Sequence, residues 1–291
     1  MGVIEIKDKN FPPNLKKITP KVTKLYFKGS FNKNFFQESI AVVGSRKMTQ
    51  YGQRVIENLL PPLIDAGITI ISGFMYGVDQ AAHKVTLENS GKTVAVLGWG
   101  IDWPVENADQ KLHQEIEKKG LIISEYAKST APQLWMFPRR NRIMAGLSQA
   151  VLIIEAAENS GSLITASYAQ KYKRQLFAVP GPITSTVSQG TNNLIKSGQA
   201  KMVTSATDVL KEMNWRQERL TFKKETKLFH SITEDSTGDL ILQFLLNEPL
   251  SIDEIALSTG QSVEKVSVKL SLLQLKGQVV EKEGKYYSCI K

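Results

Sequence analysis

Six short aliphatic runs, each followed by an amphipathic stretch, fill the sequence between residues 39 and 210: 40–43, 68–71, 94–97, 121–124, 151–154 and 176–179. Runs this short, without polar alternation, suit strands covered on both faces. A helix between consecutive strands supplies the crossover that parallel pairing demands. Helices are expected at 50–65, 78–90, 108–119, 139–147 and 162–173. The pattern predicts an α/β domain over 39–210, doubly wound and Rossmann-like, with a mostly parallel sheet.

The flanks read differently. Residues 1–38 are lysine-rich and interrupted by Pro12, Pro13 and Pro20. They are expected to form a basic N-terminal extension, with Leu25, Tyr26 and Phe27 in a short strand or docking segment. Residues 211–237 are polar and charged, as in a linker. From 238 to 291 the sequence predicts three helices, the second opened by Ser251 and the third by Ser262. A hairpin of 278–281 and 285–288 around Glu283-Gly284 completes a small C-terminal winged-helix-like domain.

Charge is unevenly spread. The net formal charge is +9, yet residues 231–291 hold six lysines against nine carboxylates, leaving +12 on residues 1–230. Such an excess favours acidic partners such as nucleic acid, although a lysine-rich surface alone gives the same sum. The single cysteine, Cys289, permits no intrachain disulfide and predicts a reducing compartment. The sequence shows no leader pattern and no apolar run near the ~18 residues of a membrane span. A cytoplasmic protein without membrane contact is expected.

In an open α/β sheet, ligands bind beyond the carboxyl ends of the strands. There the first strand is followed by Gly44, Ser45 and Arg46, and the second by Gly73, Gly77, Asp79 and Lys84. Ser160, Gly161, Ser162 and Thr165 follow the fifth. Glycines let backbone approach a phosphate, hydroxyls and helix N-termini donate to it, and guanidinium binds it bidentately. Gly73, Gly77, Ser160, Gly161, Ser162 and Thr165 are the expected phosphate-facing turns. Phe137 stands beside Arg139, Arg140 and Arg142. An aromatic ring next to cations suits a nucleic acid strand whose bases stack while its phosphates are tracked.

Blander readings stand beside these. The arginines can form surface ion pairs, Asp79 can cap a helix, and His83 can be an ordinary hydrogen-bonded helix residue. His83, His113 and His230 show no metal-ligand spacing. The G-x-x-x-x-G-K-[ST] loop, the G-x-G-x-x-G fingerprint after the first strand and any local Ser-His-Asp arrangement are absent from the sequence. No catalytic residue, metal or cofactor is expected.

Taken together, these residues resemble the DNA-processing protein A (DprA/Smf) family. The matching segments are VGSR at 43–46, GVDQAAHK at 77–84, AVLGWGIDWP at 95–104, SEY at 124–126 and FPRRNRIMAGLS at 137–148. NSGSLITASYA at 159–169, FAVPG at 177–181 and QGTNNLIKSG at 189–198 continue the series. Trp103 stands where the family usually has tyrosine, Lys173-Arg174 where Gly-Arg is common, and residues 1–38 replace a longer helical domain.

The resemblance implies a homodimeric recombination mediator that binds single-stranded DNA without sequence preference. It further implies protection of incoming strands during natural transformation, displacement of single-strand-binding protein and loading of the RecA recombinase. It places the DNA pocket at Gly44, Ser45, Arg46, Lys84, Phe137, Arg139, Arg140 and Arg142, with Lys173, Arg174 and Lys196 on the same basic side. The third helix of the winged-helix domain offers only Lys265, Lys269 and Lys276 in an acidic domain, which favours protein contact or regulation over duplex reading. The competing reading is a Rossmann-type nucleotide-binding hydrolase or a nucleotide sensor. Its phosphoribohydrolase form resembles ENSGSLITA, which lacks the nearby glutamate of PGG-x-GT-x-x-E.

Overall fold

A computed structural model of the chain describes residues 1–215, 240–242, 244–245, 248–282 and 284–289. The chain divides into two units, 1–220 and 221–291.

The first unit is built on a nine-stranded sheet. Its strands are β1 (Gly2–Glu5), β2 (Lys24–Gly29), β3 (Ser39–Val43), β4 (Thr69–Ser72) and β5 (Thr93–Leu97), then β6 (Leu121–Ser124), β7 (Ala150–Ile153), β8 (Gln175–Ala178) and β9 (Lys201–Met202). The spatial order is β1-β2-β6-β5-β4-β3-β7-β8-β9, parallel from β6 to β9, with β2 antiparallel to both β1 and β6. Helices α1 (Gln50–Asp65), α2 (Val78–Glu88), α3 (Gln110–Lys119), α4 (Met136–Leu147), α5 (Ser162–Lys171), α6 (Gln189–Lys196) and α7 (Ala206–Glu212) connect or follow the strands.

Both sheet faces are covered, and the strand period of two shows it. On β3, Ala41 and Val43 join the core beneath α4 and α5, while Ile40 and Val42 join the core beneath α1 and α7. Helix α1 lowers Ile56, Leu59, Leu60 and Leu63 onto that second core at helical spacing. The chain builds outward from β3 through β4, β5 and β6 and then returns to β7 on its other side. That reversal opens a crevice beyond the carboxyl ends of β3 and β7.

Residues 1–38 belong to this unit rather than extending from it. Strands β1 and β2 form one edge of the sheet, and Phe11, Leu15 and Ile18 are buried in the same core as Ile143, Met144 and Leu147 of α4. Each such side chain contributes about 1.5–3 kcal/mol on burial, enough to hold a short segment in place. The expected linker also starts later than residue 211. Residues 211 and 212 finish α7, and buried Trp215 donates its indole Nε1–H to Gln149 Oε1 at 3.1 Å. The remainder of 211–237 lies outside the described residues.

In the second unit, α8 (Ile252–Thr259) and α9 (Val263–Leu275) precede a hairpin of β10 (Val279–Lys282) and β11 (Lys285–Ser288). Ile255, Val266, Leu270, Leu273 and Val279 form its core. A Ser251–Glu254 capping box opens α8, and the Ser262 side chain caps α9. The expected first helix, 239–249, and Glu283 lie partly or wholly outside the described residues. Among the described residues no helix is long and apolar enough to cross a membrane.

Candidate functional site

The crevice holds a cavity of about 540 Å³. Three segments wall it: the turn after β3, the first turns of α4, and the turn from β7 into α5. Of the expected site residues, Gly44, Ser45, Arg46, Phe137, Arg140, Ser160, Gly161, Ser162 and Thr165 line it.

The turn after β3 is held from behind. Glu155, buried at the end of β7, accepts the Thr49 amide at 2.9 Å as well as its hydroxyl, while Thr49 caps α1. The Ser45 hydroxyl accepts the Lys47 amide at 3.1 Å. A Cβ at Gly44 would stand 2.6 Å from Val78 Cγ2 and 2.9 Å from Glu155 O, so only glycine lets the turn lie this close to α2. Arg46 and Lys47 therefore project from a fixed turn, both exposed at the mouth. The Arg46 guanidinium lies 5.5 Å from the centroid of the Phe137 ring, within cation–π range.

Helix α4 decides the fate of the arginine cluster. It begins at Met136, so Phe137, Arg140, Asn141 and Met144 share the face that lines the cavity. Arg140 is buried in the floor, where its Nη1 donates to the carbonyls of Gly73 and Val96 and its Nε to Asn141 Oδ1 at 3.2 Å. Burial lowers its pKa to about 10, against the pull of nearby Asp79, so it stays cationic at neutral pH. Asp79 is itself buried, and that burial raises its pKa against the opposing charge of Arg140.

The other two arginines of the cluster do not line the cavity. Arg142 is fully buried and donates to Glu125 Oε1 at 2.6 Å, Pro20 O at 3.1 Å and Arg139 O at 3.0 Å. It ties α4 to the N-terminal segment and is not exposed to a strand. Arg139 is exposed but turns towards Glu125 (3.6 Å) and the Trp135 ring (5.8 Å to its centroid).

The opposite wall is the start of α5. The Ser160 and Ser162 hydroxyls are 2.8 Å apart, exposed Gly161 has its carbonyl held by Asn141 Nδ2 at 3.1 Å, and Thr165 Oγ1 is buried without a hydrogen-bond partner among the described residues. A helix N-terminus ringed by hydroxyls and facing two cations is a site for a phosphate group.

Several expected residues lie elsewhere. Gly73 is spent on Arg140. Gly77 starts α2 at φ +76°, and a Cβ there would strike the carbonyl oxygens of Ser45 and Arg46, so it supports the turn rather than facing the cavity. Lys84 is exposed on α2 but does not line the cavity. Helix α5 runs back towards the amino ends of the strands, which carries Lys173 and Arg174 to the far edge of the sheet. There Arg174 Nη2 donates to Gly146 O at 3.1 Å. Lys196 is exposed at the end of α6, outside the cavity lining. Buried His83 offers Nδ1 to Thr93 Oγ1 at 2.6 Å and is a core residue. Conversely, Lys47, Asn141 and Asn159 line the cavity without having been assigned to it. The first is the next residue of the same turn, and the second is revealed by its spacing of four from Phe137.

The family described as DNA recombination-mediator protein A matches residues 2–214, and the DprA winged helix domain matches residues 231–285. The chain is 40% identical over 210 residues to DNA processing protein DprA of Streptococcus pneumoniae, covering 72% of this chain and 73% of that protein. To Protein Smf of Escherichia coli it is 35% identical over 281 residues, 95% of this chain and 74% of the other. An X-ray structure of the Streptococcus pneumoniae protein aligns with a TM-score of 0.68 at 39% identity, covering 72% of this chain and 74% of that one. DNA processing protein A from Helicobacter pylori, solved to explain its single-stranded DNA binding mode, aligns with a TM-score of 0.65 at 29% identity, covering 74% and 97%.

Proposed function

The chain belongs to the DNA recombination-mediator protein A family, and on that premise we propose that its crevice clasps single-stranded DNA without cutting it. The observation that carries this reading is Arg46 poised over Phe137 opposite the start of α5. A phosphate can sit between the cations of the β3 turn and the hydroxyls of α5, while the adjoining base meets the Phe137 ring. Phosphate contact and stacking tolerate any base, so the clasp as a whole does not read sequence. The available carboxylates have other work: Glu155 holds Thr49, and Asp79 lies beside Arg140. This supports binding over nucleotide hydrolysis.

Two clasps on one strand require a homodimer. The two-residue edge strand β9, exposed along Lys201–Met202, and the half-buried Leu194 and Ile195 of α6 support pairing through that edge. In this reading the protein acts in the cytoplasm, protects incoming strands, displaces single-strand-binding protein and loads RecA. The winged-helix unit contacts protein: the outward side of α9 exposes Val268, Leu272 and Leu275.

Titration with unstructured oligonucleotides of increasing length at several salt concentrations tests the reading. Affinity should rise with length and fall steeply with salt, by a log–log slope of about 0.7 per phosphate contacted. Binding independent of length, or turnover of a free nucleotide, would replace it with the hydrolase or sensor.

A further inference from the structure

Beside the phosphate cavity lies a second recess of about 210 Å³, sharing Met75 and Phe137 with it. Its walls are aromatic. Trp99 meets the other side of the Phe137 region with ring centroids 6.1 Å apart, Phe74 is buried behind it, and Tyr76 and Trp103 stand half-open at the entrance. One polar group reaches the interior: the amide of Gln80, on a side chain only 9% exposed, whose Nε2 has no hydrogen-bond partner among the described residues. Carboxylates mark the rim, where Glu106 accepts the Tyr76 hydroxyl at 2.7 Å and Asp109 stands nearby.

Each feature narrows the occupant. The volume is below the ~300 Å³ at which drug-sized ligand sites begin, so it takes one ring system and not a whole nucleotide. Aromatic walls favour a flat partner. A buried amide donor needs an acceptor, and leaving it unmade costs more than the bond itself gains. A lysine or arginine side chain would suit the carboxylates but would leave that donor unanswered. Rim carboxylates repel phosphate and accept amino hydrogens. The lining shared with the cation-bearing cavity places the recess where the base of a clasped nucleotide can turn inward.

We infer that this recess is a slot for one unstacked nucleobase, and that it prefers a base carrying both a ring or carbonyl acceptor and an exocyclic amino group. Cytosine has that pair, with O2 or N3 for Gln80 and its amino group for the rim. Thymine presents a carbonyl and a methyl group where cytosine has the amine. The inference rests on the strand-binding reading and adds to it one position at which the clasp discriminates.

Fluorescence anisotropy with the full chain tests it, using oligo(dC), oligo(dT) and an abasic sugar–phosphate chain of equal length. Oligo(dC) should bind about three- to tenfold tighter than oligo(dT), the worth of one or two hydrogen bonds, and both tighter than the abasic chain. Gln80→Leu should bring the dC-to-dT ratio towards one. Trp103→Ala, at a partly exposed position that tolerates truncation, should draw both base-bearing ligands towards the abasic affinity. Equal affinity for abasic and base-bearing chains, or a ratio unmoved by Gln80→Leu, would overturn the slot while leaving the clasp standing. Failure of the unaltered protein to bind any of the three would overturn both.

Discussion

Replacing Arg142 with alanine is expected to destabilise the fold and to leave strand recognition to other residues. Its guanidinium is fully buried and serves three acceptors: Glu125, Pro20 O and Arg139 O. Truncation strands the Glu125 carboxylate, only 14% exposed, with Arg139 at 3.6 Å as its nearest ion-pair partner, too far for a hydrogen bond. It also removes the donor that fastens Pro20 to α4. Breaking a buried pair of this kind costs about 3–5 kcal/mol. At roughly 2–4 °C per kcal/mol for a unit of this size, Tm should fall by about 6–20 °C. Thermal unfolding followed by circular dichroism measures that. Anisotropy with a DNA oligonucleotide, well below the transition, should give nearly unaltered affinity and salt slope. An unchanged Tm combined with lost binding would show that Arg142 faces the strand, and would refute the argument from α4 geometry.

Arg46→Ala should show the reverse: unchanged Tm, affinity lower by about tenfold or more from the ~1.5–3 kcal/mol of a charge-assisted bond, and a salt slope shallower by about 0.7. An unaltered slope would place Arg46 off the strand's path. Gly77→Ala forces a side chain into φ +76° and against the carbonyls of Ser45 and Arg46, at about 1–2 kcal/mol for the backbone alone. Tm and affinity should fall together, and a fall in neither would remove Gly77 from the support of the turn. His83 is buried neutral, with its pKa lowered from 6.5 to about 3 by burial and by nearby Arg140. Below pH 6.5 the unfolded chain takes a proton that the folded one refuses, so stability present above 6.5 is lost as pH falls towards 3, by about 5 kcal/mol in all. Against this background His83→Leu should flatten the Tm-versus-pH curve between those limits, and parallel curves would deny that His83 is the group responsible.

The parallel core was legible because its strands are unbroken aliphatic runs. Expected and observed limits of all six differ by a residue or so, as 40–43 against Ser39–Val43 and 176–179 against Gln175–Ala178. The pieces that escaped have weak local signals. Strand β1 is four residues with one buried side chain, and β9 is two exposed residues defined only by the neighbour they pair with. Helix α4 was started three residues late because Pro138 reads as a break. In its actual place, the first turn, proline forfeits no intrahelical hydrogen bond and its fixed φ suits the helix. That small error in phase had the largest consequence for the site.

Three arginines within four residues look like one patch of charge, but a helix turns 100° per residue and sends them to different places. Arg142 becomes a buried fastener, Arg139 a surface residue, and Arg140 a cation in the cavity floor. The last differs from Arg46 in how salt acts on it. Arg46 at the mouth is screened by mobile ions, whereas a charge buried among carbonyls is screened far less. The crevice should thus keep part of its attraction for phosphate at ionic strengths that silence its rim. Arg140→Met tests this division. It removes the floor charge, strips the Gly73 and Val96 carbonyls of their donor and leaves Asp79 without the cation that opposes its burial. Stability and high-salt affinity should fall together in that variant, while in Arg46→Ala only low-salt affinity falls. If the two variants lost affinity in equal proportion at every salt concentration, the floor and the mouth would be acting as one exposed patch, contrary to the burial of Arg140.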